Sequence, residues 1–324
     1  MQYGSRGRPA QRRRSRRDRH RRRGLRRHRP PDPHEPRHRR RPQGAFMSTL
    51  VLVHGFWHGS WCWSEVVPHV VAAGRLTVAV DLAGHGLHAR RPRWFRAQPY
   101  NREAVSTEVS PVADVSLDDA AELLTSQIRR IGRGEPVTVV AHSAAGPVLT
   151  RTAEQTPELV AHAVYLSAYM PASGKSAAAY TRLPEAADDL VAPLLQGDPA
   201  RTGALRLDFA TADAAYRQRL HEAFYGDVDP VLAEAATGLL TPDGPIGIML
   251  GTTALTREGW GSVRRTYIVC TRDMAIRPGV QATFISEADA AFPDNPTSVV
   301  ALDASHSPFL SMPGELADII IPLG

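Results

Sequence analysis

Short β-favouring runs alternate with helix-patterned segments along most of this 324-residue chain, and that alternation limits the fold more than any other feature. Leu50 to Val53, Leu76 to Val80, Val137 to Val140, Ala161 to Ser167, Thr266 to Cys270 and Ser298 to Leu302 read as strands. Helical spacing runs from Trp61 to Ala73, from the capping box at Ser116-Leu-Asp-Asp119 to about Ile131, from Pro147 onward, from Gly279 to Ala288 and from Gly314 to Ile321. Strands joined through helices predict an α/β fold, a mainly parallel sheet with helices on both faces. The alternation lapses between residues 171 and about 259. Ala178 to Leu195, Thr211 to Tyr225 and Pro230 to Leu239 read there as helical pieces, broken by Pro184, Pro193, Pro199 and Pro230. The spacing therefore predicts a helical insertion between two core strands. Residues 87 to 115 are irregular and hold Arg90, Arg91, Arg93, Trp94, Phe95, Arg96 and Tyr100. A loop of that length in a compact domain is usually functional or mobile. Its aromatic residues are candidates for a pocket mouth, and its arginines for attracting an anionic substrate.

Sites on such sheets form at the C-terminal ends of strands. His54, Ser143, Asp273 and His306 all fall there. Ser143 follows a β run and precedes a helical pattern, a strand, sharp turn and helix in succession. The G-x-S-x-G elbow keeps small residues two before and two after a nucleophilic serine. Here they are Ala141 and Ala145, a degraded motif that gains weight only from its surroundings. A serine hydroxyl is a poor nucleophile at neutral pH; it needs a base, and the base needs an orienting carboxylate. His306 and Asp273 supply that pair, with Asp303 and Asp294 as alternative acids. A developing oxyanion needs two backbone N–H donors, for which Ala144 and Phe56 are the candidates. Gly55, Trp57, His142 and Trp94 are the expected pocket-lining residues. His54, His58, His85 and His142 lack carboxylate or cysteine partners at ligand spacing. They read as loop braces, and neither a metal nor a cofactor is expected.

From Leu50 onward the chain resembles the α/β-hydrolase superfamily, in the branch of plant methylesterases and hydroxynitrile lyases. The resemblance rests on Val53-His-Gly-Phe-Trp-His-Gly-Ser-Trp-Cys-Trp63, on Glu258-Gly-Trp-Gly-Ser-Val-Arg-Arg-Thr-Tyr-Ile-Val-Cys-Thr-Arg-Asp273 with Ala275, Ile276 and Gln281, and on Asp303-Ala-Ser-His306. It also rests on the chain order Ser, Asp, His, and it spans residues 48 to 323. It implies an α/β-hydrolase fold, residues 171 to 259 as a helical cap over the pocket, and Ser143, Asp273 and His306 as a triad cleaving a small carboxylic ester. Cyanohydrin cleavage on the same scaffold is the alternative, and a non-catalytic ligand-binding protein the third reading. The chain departs from the branch at Ala141 and Ala145 and in its longer 87 to 115 loop. The lyases of this branch carry a Lys directly after the catalytic His and a hydroxyl residue after the first-loop His. Here those positions are Ser307 and Gly55, and the only Lys in the chain is Lys175. Both differences point toward ester cleavage.

Charge divides the chain in two. Residues 1 to 46 hold 18 Arg against Asp18, Asp32 and Glu35, a charge of +15, whereas 21 basic and 30 acidic residues give the remainder −9. The tail has almost no apolar content and predicts disorder. It reads as an arm for nucleic acid or anionic lipid, as an export signal lacking its apolar stretch, or as untranslated sequence before a true start at Met47. The third is the expected one, because the tail has no Lys and is rich in the Arg, Pro, Gly and His of GC-rich codons. The expected organisation is a tail at 1 to 46 and a hydrolase domain at 47 to 324. Cys62 and Cys270, far apart in apolar contexts, fit a reduced cytoplasmic protein. No apolar run is long enough to span a membrane. The expected partner is a small-molecule ester, with no membrane, nucleic acid only through the tail, and a homodimer left open.

Overall fold

The structure, a computed structural model, describes residues 48–324; the readings of the arginine-rich tail lie outside the described residues. Its strands are β1 (Leu50–Val53), β2 (Thr77–Val80), β3 (Val137–His142), β4 (Val160–Leu166), β5 (Ala204–Arg206), β6 (Asp243–Pro245), β7 (Arg265–Cys270) and β8 (Ser298–Leu302). Its helices are α1 (Val66–Ala72), α2 (Arg102–Thr107), α3 (Leu117–Gly132), α4 (Gly146–Gln155), α5 (Ala177–Tyr180), α6 (Pro199–Thr202), α7 (Ala214–Tyr225), α8 (Pro230–Leu239), α9 (Ile246–Leu250), α10 (Pro278–Ala291), α11 (Pro308–Ser311) and α12 (Pro313–Ile320). Six strands form one sheet in the order β2-β1-β3-β4-β7-β8, parallel at every pairing. β1 and β3 are buried along their whole length, as strands covered on both faces must be. The edge strands β2 and β8 leave residues exposed. From β1 the chain moves first to β2 on one side and then to β3 on the other. That reversal opens a crevice beyond the C-terminal ends of β1 and β3, and the loops carrying Phe56 and Ser143 emerge there.

Local chemistry sets the helix ends. Ser116 and Asp119 cap α3 reciprocally, and Arg133 in the left-handed region ends it. Its buried Leu117, Ala120, Ala121, Leu124 and Ile128 form one stripe that packs beside α4. The helix predicted from Trp61 to Ala73 is split into a 3-10 turn at Ser60–Trp63 and α1. Pro68 explains the split. It has no N–H to donate, and its ring would meet the carbonyl one turn earlier, so α1 has to begin just before it.

The insertion departs further from expectation. The stretch 178 to 195 is not one helix but α5 followed by 3-10 turns at Pro184–Ala186 and Ala192–Leu194, because Pro184 and Pro193 interrupt it. Nor is the insertion purely helical, since β5 and β6 pair antiparallel, Ala204 opposite Pro245 and Arg206 opposite Asp243. Three-residue strands carry no readable period, and this pair is held from outside its own sequence. The buried Arg206 guanidinium forks onto Asp243 at 2.7 and 2.8 Å. It also donates to the Val105 carbonyl at 2.9 Å and the Glu108 carbonyl at 2.7 Å. A buried ion pair holds only when such extra hydrogen bonds offset its desolvation.

Those contacts correct the reading of residues 87 to 115. The segment holds a 3-10 turn at Arg93–Arg96 and α2, capped by Asn101, and it clamps onto the β5–β6 pair. Trp94 is 2% exposed and lies 5.5 Å from the Arg206 guanidinium, so its ring covers a buried charge and does not form a pocket mouth. Among the described residues no helix is long and apolar enough to cross a membrane.

Candidate active site

β3 ends at His142, and Ser143 follows with φ of 54°. That left-handed conformation is uncommon for a residue with a side chain and is held here by its surroundings. The chain turns through a 3-10 segment, Ser143–Ala145, straight into α4. The tight approach falls at Gly146, where a Cβ would land on the Tyr169 carbonyl; Ala141 and Ala145 are simply buried. The Ser143 carbonyl accepts from the Tyr169 N–H at 3.1 Å, which ties the turn to the end of β4. Degradation of the elbow motif at 141 and 145 is therefore tolerated because the glycine that matters is one residue later.

Asp273 follows β7 and is fully buried. One carboxylate oxygen, Oδ1, accepts from the Ala275 and Ile276 N–H groups at 2.7 and 2.9 Å. The other, Oδ2, accepts from His306 Nδ1 at 2.7 Å and from the Ser167 hydroxyl. With the proton on Nδ1, the opposite nitrogen of His306 is left bare to act as a base. Asp303 and Asp294 turn outward instead. Asp303 binds Thr271 and Arg272, both at 3.0 Å, and Asp294 pairs with Arg257 at 3.3 Å. Of the three candidate acids, Asp273 alone contacts the His306 ring. The His306 loop is anchored through Ser305, whose N–H and hydroxyl both bind the Asp227 carboxylate.

Ser167 was not predicted. It stands just past β4 with φ of 37°, fully buried, and donates to the oxygen that faces His306. Its sequence signal was its place at a strand's C-terminal end, the same signal that marks Ser143 and Asp273. The sequence reading absorbed it into the strand.

Ser143, Ala144, His306, Phe56 and Trp57 share one cavity of about 170 Å³, and residues of the insertion, among them Leu205, Phe224 and Met249, complete its wall. Gly244 of β6 gives the Phe56 ring its space, since a Cβ there would overlap the ring. The Phe56 N–H makes no hydrogen bond within the described residues, and the Ala144 N–H lies in the first turn of a helix, where donors have no intrahelical partner. Two expected lining residues stand elsewhere. At Gly55 a Cβ would sit 2.6 Å from Ser143 Cβ, so its role is to let the first loop press against Ser143. His142 stands behind His306, with ring centroids 4.5 Å apart, and donates from Nε2 to the His306 carbonyl at 2.9 Å.

The other histidines brace loops. His54 donates from Nδ1 to the Gly55 carbonyl at 2.6 Å and accepts the Leu82 N–H at 3.1 Å. His58 donates to the Phe56 carbonyl at 3.0 Å and accepts the Tyr225 hydroxyl at 2.9 Å. Burial holds both at a pKa of about 3, so at neutral pH both are uncharged.

A parallel sheet with this strand order, and with Ser, Asp and His past the ends of β3, β7 and β8 beside one apolar cavity, defines an α/β hydrolase. Residues 50–319 match the alpha/beta hydrolase family, and the chain belongs to it. It is similar to methylesterase 9 of Arabidopsis thaliana, 28% identical over 301 residues, 86% of this chain and 98% of that protein. It is equally similar to methyl jasmonate esterase 1 of Vitis vinifera, 28% identical over 276 residues, 82% of this chain and 93% of that protein. In structure it resembles a pyrethroid hydrolase from Sphingobium faniae, with a TM-score of 0.65 and 23% identity over 85% of this chain and 96% of that one. It also resembles polyneuridine aldehyde esterase, with a TM-score of 0.63 and 23% identity over 85% and 98%. The two relatives are plant esterases, and the two solved structures share the fold.

Proposed function

We propose that this protein is a carboxylic ester hydrolase working through an acyl-enzyme. Ser143 attacks the ester carbonyl, His306 takes the proton and returns it to the leaving alcohol, and Asp273 holds the imidazole in the required tautomer. The Phe56 and Ala144 N–H groups bind the oxyanion. Water, activated by His306, then releases the acid. The observation that carries this reading is the His306–Asp273 bond of 2.7 Å beside Ser143 in one apolar cavity. The likeness to methylesterase 9 and methyl jasmonate esterase 1 supports it. In the same reading residues 171 to 259 act as a cap, supported by the insertion residues in the cavity wall.

The competing chemistry is cyanohydrin cleavage. A departing cyanide needs a positive charge beside the base, and the position after His306 is Ser307, a buried residue. Lys175 pairs with Glu287 at 2.6 Å and is not among the residues lining the cavity. A hydroxyl side chain at position 55 would collide with Ser143. The experiment offers purified protein mandelonitrile and a small aryl ester side by side. Ester turnover without cyanide release above the spontaneous rate is the expected result. Cyanide release lost in Ser143→Ala, with no ester turnover, would replace this reading by the lyase.

Ser167 is a positioning residue in this scheme. Its hydroxyl shares the charge of Asp273 Oδ2. Without it, that oxygen keeps only the His306 Nδ1 donor, and carboxylate and imidazole are held less firmly in line. Ser167→Ala should therefore lower kcat by about three- to tenfold with KM within about twofold of the wild type. A KM that rises as kcat falls, together with a lower melting temperature, would mean that Ser167 acts through packing alone.

A further inference from the structure

The cavity beside Ser143 has an apolar body and one polar end. Apart from Ser143 and His306, its lining contributes side-chain polar atoms only from Trp57, Tyr169, Thr181 and Asp189. Two of these are already engaged. Trp57 Nε1 donates to the Leu205 carbonyl at 3.1 Å, and the Thr181 hydroxyl donates to the Ala178 carbonyl at 3.0 Å. Asp189 accepts the Val191 and Ala192 N–H groups at 2.7 and 2.9 Å, both on Oδ1, which leaves Oδ2 without a partner among the described residues. The Tyr169 hydroxyl likewise has none, although the residue itself is firmly placed. Its N–H holds the Ser143 carbonyl, and its ring meets Phe284 edge-on at 5.7 Å. Tyr169, Thr181 and Asp189 also line a smaller adjoining cavity with Tyr180, Ala186 and Arg277. The polar pair therefore stands where the main cavity runs into the smaller one. Arg277, the one cation lining that annexe, donates from Nη1 to the Asp273 carbonyl at 3.2 Å.

Both residues are half-buried, so their free oxygens meet solvent in the open cavity, and a bound group that takes that place has to supply a hydrogen-bond partner there. The volume limits what that group can be. About 170 Å³ is close to the roughly 150 Å³ cavity that accommodates benzene, so one six-membered ring fills it. Burial pushes the Tyr169 hydroxyl well up, with the Asp189 and Asp273 carboxylates adding to the effect, so it remains a neutral donor and acceptor. Burial, with Asp273 adding to it, holds the Asp189 carboxyl above the usual carboxylate range, against the pull of its two backbone donors and Arg277, and an ammonium placed there would favour the ionised form.

We propose that Tyr169 and Asp189 are specificity-determining residues that bind a hydrogen-bond donor, an ammonium or a hydroxyl, on a ring-sized group of the substrate and reject a carboxylate at that place. This rests on the ester-hydrolase reading for its chemistry, but the pair can be tested without turnover. The first test compares kcat/KM for meta and para isomers of ring-substituted methyl benzoates bearing aminomethyl, hydroxymethyl, methyl or carboxylate groups. Aminomethyl and hydroxymethyl esters should exceed the methyl analogue by about tenfold or more, with the carboxylate slowest. Asp189→Asn should abolish the ammonium preference and relieve the rejection of carboxylate, and Tyr169→Phe should weaken the hydroxyl preference. The second test measures benzylamine, benzyl alcohol, toluene and benzoate binding to Ser143→Ala protein by calorimetry, with and without the Asp189→Asn change. The amine and the alcohol should bind more tightly than toluene, and benzoate least, with the amine's advantage lost in Asp189→Asn. An absence of discrimination in this binding series overturns the specificity pair whatever the enzyme does to esters. The expected binding order with no ester turnover overturns the hydrolase reading and leaves the pair standing.

Discussion

Ser143→Ala should lower the turnover of an activated aryl ester by about three to six orders of magnitude, leaving only the acceleration that binding and oxyanion donors supply. The size of the effect follows from the site's division of labour. In the proposed mechanism the His306–Asp273 pair moves a proton, but without the Ser143 hydroxyl there is no atom to form the acyl-enzyme. The fold should survive the change. Ser143 already carries a Cβ in the left-handed conformation, and its hydroxyl makes no hydrogen bond within the described residues. A circular dichroism spectrum and a melting curve like those of the wild type are therefore expected beside the lost activity. Asp273→Ala should cost about one to two orders of magnitude less, because the serine and base remain. Asp303→Ala should leave the rate within about twofold, since its exposed carboxylate pairs with Arg272. A well-folded Ser143→Ala protein keeping more than about a tenth of the wild-type rate would remove Ser143 from the mechanism. If Asp303→Ala proved more damaging than Asp273→Ala, the acid would have to be reassigned.

Mild acid should unfold the protein, through a group of buried histidines apart from His306. Burial lowers His54 and His58 to about 3, His85 to about 4, and His142 well below its ordinary value. Hydrogen bonding shows why the charged forms are excluded. Protonating His54 would place a proton on Nε2, which accepts the Leu82 N–H. Protonating His85 or His142 would leave a buried N–H on the ring nitrogen that has no partner. The sign follows from linkage. Between about pH 6.5 and the folded values, the unfolded chain binds more protons than the native one, so stability rises with pH and falls as acid is added. Each of His54, His58 and His85 costs about 1.4 kcal/mol per pH unit in that window, or about 3 kcal/mol by pH 4. Together, with His142 acting in the same direction, they rival the whole stability of a typical domain, about 5–15 kcal/mol. Melting temperature should be nearly constant above pH 7, fall steeply from pH 6, and disappear near pH 4 to 5. The readout has to be structural, because none of these four histidines is the proposed base. A flat melting temperature from pH 7 to 4.5 would show that these histidines are solvated or already charged in the native state.

What could be read from the chain itself was whatever depends on neighbours in sequence. Apolar runs of four to seven residues separated by capped helical stretches specify β1, β3, β4, β7 and β8 and the helices between them, because burial on both faces and capping are local requirements. Ser143, Asp273 and His306 were visible for the same reason, each directly following such a run. What was not legible depends on contacts between segments far apart. The β5–β6 pair exists because Arg206 meets Asp243 and the carbonyls of Val105 and Glu108, about a hundred residues away from those carbonyls. The same contact takes Trp94 out of the pocket and folds residues 87 to 115 onto the insertion. The degraded elbow could not disclose that the glycine it needs is Gly146, because the obstacle there is the Tyr169 carbonyl from another strand's end. Ser167 becomes a partner of Asp273, and Tyr169 and Asp189 become the open polar end of the cavity, only once β4 is paired with β7 and the insertion lies against both. Hydrophobic period and capping are properties of a segment, whereas partnership of a buried polar atom is a property of the closed structure, since a desolvated group takes whatever donor or acceptor the fold brings to it.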